Sequence, residues 1–275
     1  MSCKTINLVD YTKSDIPYYI NKYPDGHKHI VLEGCEWNKD SEINVIVRID
    51  SMDILFILMQ IISILSHENV QINELHITYL LTARCDRRFS MGEAIDLDLV
   101  GNLLYDLNIK KYVFYDAHNI PSLFRSLTNV ENRIVLRRYL HLTNYNICYP
   151  DKGALDRYKE NFGFGNLVGE KHRKPDGISI NLNLFNTLDY NKPILVIDDL
   201  CDGGGTFVAL ANELDEKYNQ LSREIWVTHA IQKSGIELLA AKYNKVYITN
   251  SYKDWNEEKL PNNVTVYDIL RYVYI

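Results

Sequence analysis

The chain has 275 residues, of which 46% are hydrophobic, and its 30 Lys and Arg stand against 36 Asp and Glu, a formal net charge of −6. This composition predicts a globular protein of one large or two medium domains and excludes a disordered or collagen-like chain. The acidic balance argues against a nucleic-acid-binding protein, because that function needs a basic surface to displace the counterions of phosphates. A local basic site for a small anion remains compatible with it.

Cysteine usage and hydropathy indicate a cytoplasmic protein that does not enter a membrane. The five cysteines, which form no CxxC pair, are Cys3, Cys35, Cys85, Cys148 and Cys201. Their odd number and wide spacing favour neither a zinc site nor a disulfide framework, so we expect a reducing compartment. The most apolar run, 54–65, is too short to cross a bilayer and contains Gln60 and Ser63, so it is interpreted as a buried helix.

In chain order, short β-branched runs alternate with longer helical patterns, the rhythm of βαβ units around a mostly parallel sheet. The predicted strands are 43–49, 76–80, 112–115, 194–197, 225–228 and 246–249. The predicted helices are 53–67, 96–107, 206–218 and 234–243. The least regular stretch is 127–149, so we place a domain boundary near residue 140 and expect an α/β fold with domains 1–140 and 141–275.

The most informative stretch is PILVIDDLCDGGGTF, 193–207, whose chemistry-bearing residues are Asp198, Asp199, Asp202, Gly203, Gly204, Gly205 and Thr206. An apolar strand without polar residues until its end delivers the acidic pair to the sheet edge where ligands of open α/β folds bind. The glycines and the following helix N-terminus offer backbone N–H groups to a phosphate. The aspartates cannot face phosphate, so they are expected to hold ribose hydroxyls or a divalent cation.

This arrangement resembles the ribose-phosphate loop of the type I phosphoribosyltransferase fold, in which two acids, two variable residues and Asp-Thr/Ser-Gly-Gly-Thr follow a hydrophobic strand. The resemblance implies two phosphoribosyltransferase-like domains, each a mostly parallel sheet flanked by helices. It also implies that 198–206 bind a ribose phosphate. The fold hosts both the transferases that consume phosphoribosyl pyrophosphate and the ribose-phosphate diphosphokinase that makes it, so other segments must decide between them.

Four other segments resemble the diphosphokinase in chain order, and a fifth, at 149–151, resembles it more weakly. Tyr23-Pro-Asp-Gly-His27 resembles its Phe-x-Asp-Gly-Glu, which lines an adenine pocket shared between subunits, and Ala83-Arg-Cys-Asp-Arg87 resembles the ATP-holding Ala-Arg-Gln-Asp-Arg. Asp116-Ala-His-Asn119 resembles its Asp-Leu-His, and Tyr149-Pro-Asp151 its Ser-Pro-Asp. Lys171-His-Arg173 lies where the family presents Lys-x-Arg on a mobile catalytic loop. Taken singly, each of these segments is an ordinary turn, cap or solvated charge run.

The resemblance assigns a role to each group of residues. It implies ATP binding by Tyr23, Asp25, His27, Arg84, Cys85, Asp86 and His118, catalysis by Lys171 and Arg173, and Mg²⁺ binding by His118 and Asp151. The implied reaction transfers the β,γ-diphosphoryl group of ATP to the anomeric hydroxyl of a ribose 5-phosphate unit and releases AMP. Asp198 and Asp199 would hold the 2- and 3-hydroxyls and share a second cation, and 203–206 would hold the 5-phosphate. A homo-oligomer is also implied.

Alternatives stay open for the sugar that accepts the diphosphoryl group and for the class of reaction. Gly203 replaces the usual Thr or Ser, which removes one hydrogen-bond donor for a 5-phosphate and leaves room for a bulkier 5-substituent. Because some phage relatives act on ADP-ribose in rebuilding NAD, both ribose 5-phosphate and ADP-ribose stay open as acceptors. A phosphoribosyltransferase would explain the 198–206 loop but not the segments at Arg84, His118 and Lys171. A non-catalytic regulatory homologue is the other alternative.

Overall fold

The computed structural model describes residues 3–34, 41–174 and 177–273, and the chain divides into two compact units, Met1–Ile134 and Val135–Ile275. The division between Ile134 and Val135 falls within the irregular stretch 127–149, in which the sequence analysis placed a boundary near residue 140. Each unit has its own sheet and its own hydrophobic core.

The first unit is built on a five-stranded parallel sheet. Its elements are β1 (Lys4–Asn7), β2 (Tyr18–Lys22), β3 (Lys28–Leu32), β4 (Ile43–Ile49), α1 (Met52–His67), β5 (Ile72–Leu80), α2 (Asp96–Tyr105), β6 (Lys111–Tyr115) and β7 (Val130–Arg133). The strand order is β1-β4-β5-β6-β7, and β2 and β3 form a separate antiparallel hairpin. Helix α1 buries Leu58, Ile61 and Leu65, spaced three and four residues apart, in the core of this unit.

The second unit is built on a seven-stranded sheet. Its elements are β8 (Asn146–Tyr149), α3 (Lys152–Phe162), β9 (Leu167–Lys174), β10 (Gly177–Leu184), β11 (Ile194–Cys201), α4 (Gly205–Tyr218), β12 (Arg223–Ala230), α5 (Lys233–Lys242), β13 (Lys245–Thr249), β14 (Val264–Tyr267) and α6 (Leu270–Val273). The strand order is β10-β9-β8-β11-β12-β13-β14, in which β9 and β10 pair antiparallel and the other neighbouring strands pair parallel. Residues 194–197 of β11 are completely buried, as expected for a central strand covered on both faces.

The α/β class and the mostly parallel sheets are confirmed, and the predicted helix at 54–65 lies within α1. Among the described residues, no helix is both long and apolar enough to span a bilayer. The sequence missed the elements with few or short apolar runs, which are β1, β2, β3, β7, β8, α3, β9, β10, β14 and α6. Such elements form because neighbouring strands and helices complete them, and their own sequence carries little periodicity.

The structure differs from the expected loop at 171–173. These residues lie within β9, where Lys171 is opposite Ile180 of β10 in an antiparallel hairpin. The charged run on β9 resembles a solvated loop, but β10 alternates apolar and polar residues, and its Ile180 and Leu182 are buried where α4 packs on β10. The strand therefore forms because its partner has a buried face, which the sequence of β9 alone does not show.

An aromatic stack anchors the segment before β8 to the sheet of the second unit. The Tyr139 ring lies 4.4 Å from that of Tyr267 and 6.0 Å from that of Trp226, both nearly parallel to it. The Tyr139 hydroxyl donates to the carbonyl oxygen of Asp268 at 2.7 Å. Stacked rings with one satisfied polar end fix both the position and the direction of this segment.

We expect Tyr139→Ala to lower the free energy of unfolding by about 3 kcal/mol, because it removes a stacked aromatic ring and leaves a cavity. Tyr139→Phe keeps the ring and loses only the hydrogen bond, at a cost of about 1 kcal/mol. Urea titration followed by circular dichroism compares the two variants. Equal midpoints for both would show that stacking is not what anchors the segment.

Candidate active site

The carboxyl edge of the second sheet gathers the polar residues of that unit. Asp151 follows β8 directly, Asp198 and Asp199 lie near the end of β11, and Gln232 follows β12. Strands β8, β11 and β12 are parallel neighbours, so their carboxyl ends meet at one edge. Strand β9 pairs with β8 only through its first residues and continues past this edge, which carries Lys171 beyond it.

Asp198 and Asp199 form an acidic pair that is held by an arginine. The Arg157 Nη1 of α3 contacts Asp198 Oδ1 at 3.3 Å and also donates to Asp199 Oδ1. The Asp198 and Asp199 side chains are only 16% and 2% exposed. Burial, and then the neighbouring charge of Asp199, raise the pKa of Asp198 well above its usual value, and Arg157 partly opposes this. Two adjacent buried carboxylates therefore share one cationic partner.

The glycine loop forms the start of α4. Gly204 has a φ of +81°, which a residue with a side chain rarely adopts, and its carbonyl oxygen accepts from the backbone N–H groups of Phe207 and Val208. The Lys171 Nζ donates to the Thr206 Oγ1 at 2.7 Å. A helix N-terminus, a hydroxyl and an ammonium group thus meet at the position where the sequence predicted a phosphate.

Asp202 is held by the turn that follows β12. The Gln232 Nε2 donates to the Asp202 Oδ1 at 2.7 Å. Gly235, in the first turn of α5, packs so closely that a Cβ atom there would overlap the carbonyl oxygen of Asp202. Gly203 is exposed, and a Cβ added to it would meet nothing within 4 Å. The loop is therefore fixed on its α5 side and open at Gly203.

Cys201 lies between the acidic pair and the glycines but is not available as a nucleophile. Its side chain is buried, and burial raises the pKa of its thiol to about 12. A thiol in that state carries almost no thiolate at neutral pH. This agrees with its interpretation as a small spacer within the loop.

In the first unit, two of the expected nucleotide-binding segments are joined. Arg84 and Cys85 are exposed after β5, and His118 is half-buried after the neighbouring parallel strand β6. The Asp86 Oδ2 accepts from the Asn119 Nδ2 at 2.8 Å, which links the two segments. The sequence predicted the segments separately, and the parallel register of β5 and β6 brings them to one edge.

Two residues beside these segments have an unusual backbone. Thr82, two residues after β5, has a φ of 67°, and Asp116, directly after β6, has a φ of 51°. A β-branched residue in the left-handed region is strained, and such strain is common near functional sites. The turn is closed by a hydrogen bond from the Cys85 N–H to the Thr82 carbonyl oxygen at 2.7 Å, which sets the start of the Arg84 segment.

The structure places Tyr23, Asp25 and His27 at the tip of the β2–β3 hairpin. The turn is closed by the Tyr23 N–H donating to the His27 carbonyl oxygen at 2.8 Å, and the two rings stack 5.7 Å apart. The His27 ring also meets that of Phe56 on α1 at 5.8 Å. This hairpin is a sheet of its own, separate from the edge that carries Arg84 and His118.

The surroundings of the expected metal ligands bear on whether a cation could bind them. Within 3–34, 41–174 and 177–273, no three His, Cys, Asp or Glu side chains cluster as the ligands of a metal ion. Asp151 is the N-cap of α3, and its Oδ1 accepts from the Ala154 N–H at 3.0 Å. At the acidic pair, the guanidinium of Arg157 already contacts both carboxylates. These residues do not fit a resident cation at Asp198 and Asp199.

Sequence reasoning missed three residues that hold the site, Arg157, Gln232 and Asn119. Arg157 lies six residues after Asp151 on α3, and its partners are more than forty residues away in the chain. A helical pattern after Tyr149-Pro-Asp151 was the one signal that could have placed it. The side chain of Arg173 lies outside the part of the chain that the structure describes.

We expect Gly235→Ala to lower the free energy of unfolding by about 1 to 3 kcal/mol, because the new methyl group overlaps backbone that carries the loop. Gly203→Ala is the matched control in the same loop, and its open surroundings predict a change below about 0.5 kcal/mol. Thermal unfolding of both variants decides the point. Equal melting temperatures would show that the approach of α5 to Asp202 is not close.

Known proteins are similar to this chain in sequence and in fold. No family model matches the chain. Curated relatives named ribose-phosphate pyrophosphokinase include those of Pyrococcus abyssi, 27% identical over 92% of this chain and 88% of the relative, and Campylobacter jejuni, 24% identical over 88% and 81%. The fold is similar to that of phosphoribosylpyrophosphate synthetase from Mycobacterium smegmatis, with a TM-score of 0.72, 18% identity, and coverage of 96% of this chain and 89% of that one. The resemblance that the motifs indicated is thus confirmed, and the chain is similar to the ribose-phosphate pyrophosphokinases over most of its length.

Proposed function

We propose that this chain is a diphosphokinase that transfers the β,γ-diphosphoryl group of ATP to the anomeric hydroxyl of a ribose 5-phosphate unit. The observation that carries the proposal is the hydrogen bond from Lys171 Nζ to Thr206 Oγ1, which places a lysine ammonium group directly at the glycine loop. The name of the relatives, ribose-phosphate pyrophosphokinase, supports the same reaction.

The acceptor is held by the second unit. The 5-phosphate lies against the N-terminus of α4, with backbone N–H groups of the Gly203–Thr206 loop as donors. Its ribose hydroxyls donate to the carboxylates of Asp198 and Asp199, which are the nearby acceptors on β11. Because the acids accept from hydroxyls and the loop donates to phosphate, the two ends of the sugar are recognised by opposite chemistry.

The donor ATP enters as its magnesium complex and is bound by the first unit. Arg84 and His118 are the polyphosphate-binding residues, and the bond between Asp86 and Asn119 fixes their two segments relative to each other. His118 is the proposed contact of the magnesium ion or of its waters, because Mg²⁺ keeps much of its hydration. Tyr23, Asp25 and His27 are proposed to contact the adenine of a neighbouring subunit in a homo-oligomer.

In the reaction the anomeric oxygen O1 attacks the β-phosphorus of ATP. The bond between that phosphorus and the α,β-bridging oxygen breaks, its electron pair leaves with AMP, and the O1 proton passes to solvent. Little covalent chemistry falls to the protein, so catalysis comes from positioning and from neutralising charge on the transferred group. Lys171, with Arg173 on the same strand, provides positive charge for this purpose.

The acceptor is ribose 5-phosphate or ADP-ribose. The relatives' name indicates ribose 5-phosphate. The open space at Gly203 supports a longer 5-substituent, since a diphosphate diester needs room beyond the first phosphate. Both candidates share the anomeric hydroxyl, the ribose diol and the 5-phosphoryl group, so the same loop and acidic pair serve either one.

One assay tests the proposal and chooses the acceptor. The full chain is incubated with Mg²⁺ and ATP, alone or with ribose 5-phosphate or ADP-ribose, and AMP release is followed by chromatography. AMP that depends on ribose 5-phosphate, on ADP-ribose or on both supports the diphosphokinase and names its acceptor. If neither sugar leads to AMP release, the proposal is wrong, and a transferase or a regulatory protein is favoured instead.

We expect Lys171→Ala to lower kcat roughly a hundredfold or more, with little change in the KM for ATP, because the lysine offsets charge that develops in the transition state. Lys192→Ala is the matched control, since Lys192 lies in the same unit and pairs with Asp189 at 3.4 Å. Steady-state kinetics with the preferred sugar measures both variants. An unchanged kcat for Lys171→Ala would remove this residue from the mechanism.

A further inference from the structure

Arg157 is placed as a fixed partner of the acidic pair. Its side chain is 15% exposed, and those of Asp198 and Asp199 are 16% and 2% exposed. The guanidinium also lies 5.8 Å from the ring of its neighbour Tyr158, which is buried. A cation with this burial on both carboxylates is held by the fold, because breaking a buried charge pair leaves an uncompensated charge.

The contacts leave the acidic pair able to bind a ligand. Asp198 Oδ1 contacts Arg157 and also accepts from the Asp199 backbone N–H at 2.9 Å. Both of these contacts involve Oδ1, so Oδ2 is the oxygen that we assign to a sugar hydroxyl. The guanidinium offsets one of two adjacent charges without covering the whole pair.

We propose that Arg157 takes the place of a divalent cation at the acidic pair, so that ribose hydroxyls bind Asp198 and Asp199 without a metal ion. The identity of the sugar rests on the proposed function, but the role of Arg157 does not. A guanidinium supplies a permanent positive charge with directed donors, so it favours the ionised form of both carboxylates and orients them as acceptors. Arg157 is a positioning residue, since it acts on the sugar through the aspartates.

The proposal differs from a merely structural ion pair in one respect. A structural arginine that is removed costs stability, and ligand binding falls equally with and without metal. An arginine that stands in for a cation leaves, on removal, a pair of bare carboxylates with oxygen ligands suited to Mg²⁺ or Mn²⁺. The variant should therefore acquire a cation requirement that the original chain lacks.

The first arm of the test measures sugar binding. Isothermal titration calorimetry measures the binding of ribose 5-phosphate and of ADP-ribose, each in EDTA and in Mg²⁺. The unaltered chain is compared with Arg157→Met, Arg157→Lys and the control Arg137→Met. Arg137 is an exposed arginine of the same unit that lies over the Phe162 ring. We expect affinity in EDTA to fall at least about tenfold for Arg157→Met only, with recovery in Mg²⁺ and partial rescue by Arg157→Lys. Sugar binding by the unaltered chain that EDTA abolishes would overturn the proposal.

The second arm needs no sugar and no turnover. Mn²⁺ stoichiometry, measured by electron paramagnetic resonance, should be the same for the unaltered chain and Asp198→Asn, one ion higher for Arg157→Met, and restored in the Arg157→Met/Asp198→Asn double variant. If Asp198→Asn removes an ion from the unaltered chain, or Arg157→Met gains none, the proposal is wrong. If the AMP assay described above detects no AMP release, the proposed diphosphokinase function is wrong. The Mn²⁺ measurement still decides the role of Arg157, because it needs neither sugar nor turnover.

Discussion

The buried contact between Arg157 and the acidic pair is the interaction on which the second unit's site depends. Strand β11 is completely buried over 194–197 and can only place its first polar residues at the sheet edge. Two adjacent carboxylates there would repel each other in a medium of low dielectric constant. The guanidinium from α3 offsets part of that cost, which helps an otherwise apolar strand to end in Asp198 and Asp199.

The rest of the site is arranged around this pair by close packing. Gly235 lets α5 approach the Asp202 backbone, and Gln232 holds the Asp202 carboxylate, so the glycine loop cannot shift away from β11. Strand β9 projects past the same edge and directs Lys171 to Thr206. Rigid strands and helix starts, rather than long loops, therefore position the charges, which suits a reaction that depends on alignment and charge neutralisation.

The two units share one arrangement of polar segments. In each, polar segments follow adjacent parallel strands and meet at the carboxyl edge: the Arg84 and His118 segments after β5 and β6, and Asp151 and the 198–206 loop after β8 and along β11. The first edge carries cationic side chains and a strained turn at Thr82, whereas the second carries an acidic pair and a helix N-terminus. Parallel topology explains why segments far apart in the chain become neighbours.

The sequence by itself determined the α/β class, most long strands and helices, and the loop at 198–206, because buried strands, helix periodicity and glycine turns are local signals. It also indicated Arg84, His118 and Lys171 through the order of motifs. Only the tertiary structure decided that Lys171 lies on a strand, that Asp86 pairs with Asn119, and that Arg157 holds the acidic pair. Those contacts join residues distant in the chain, and they depend on strand register and on helix packing that no single segment encodes.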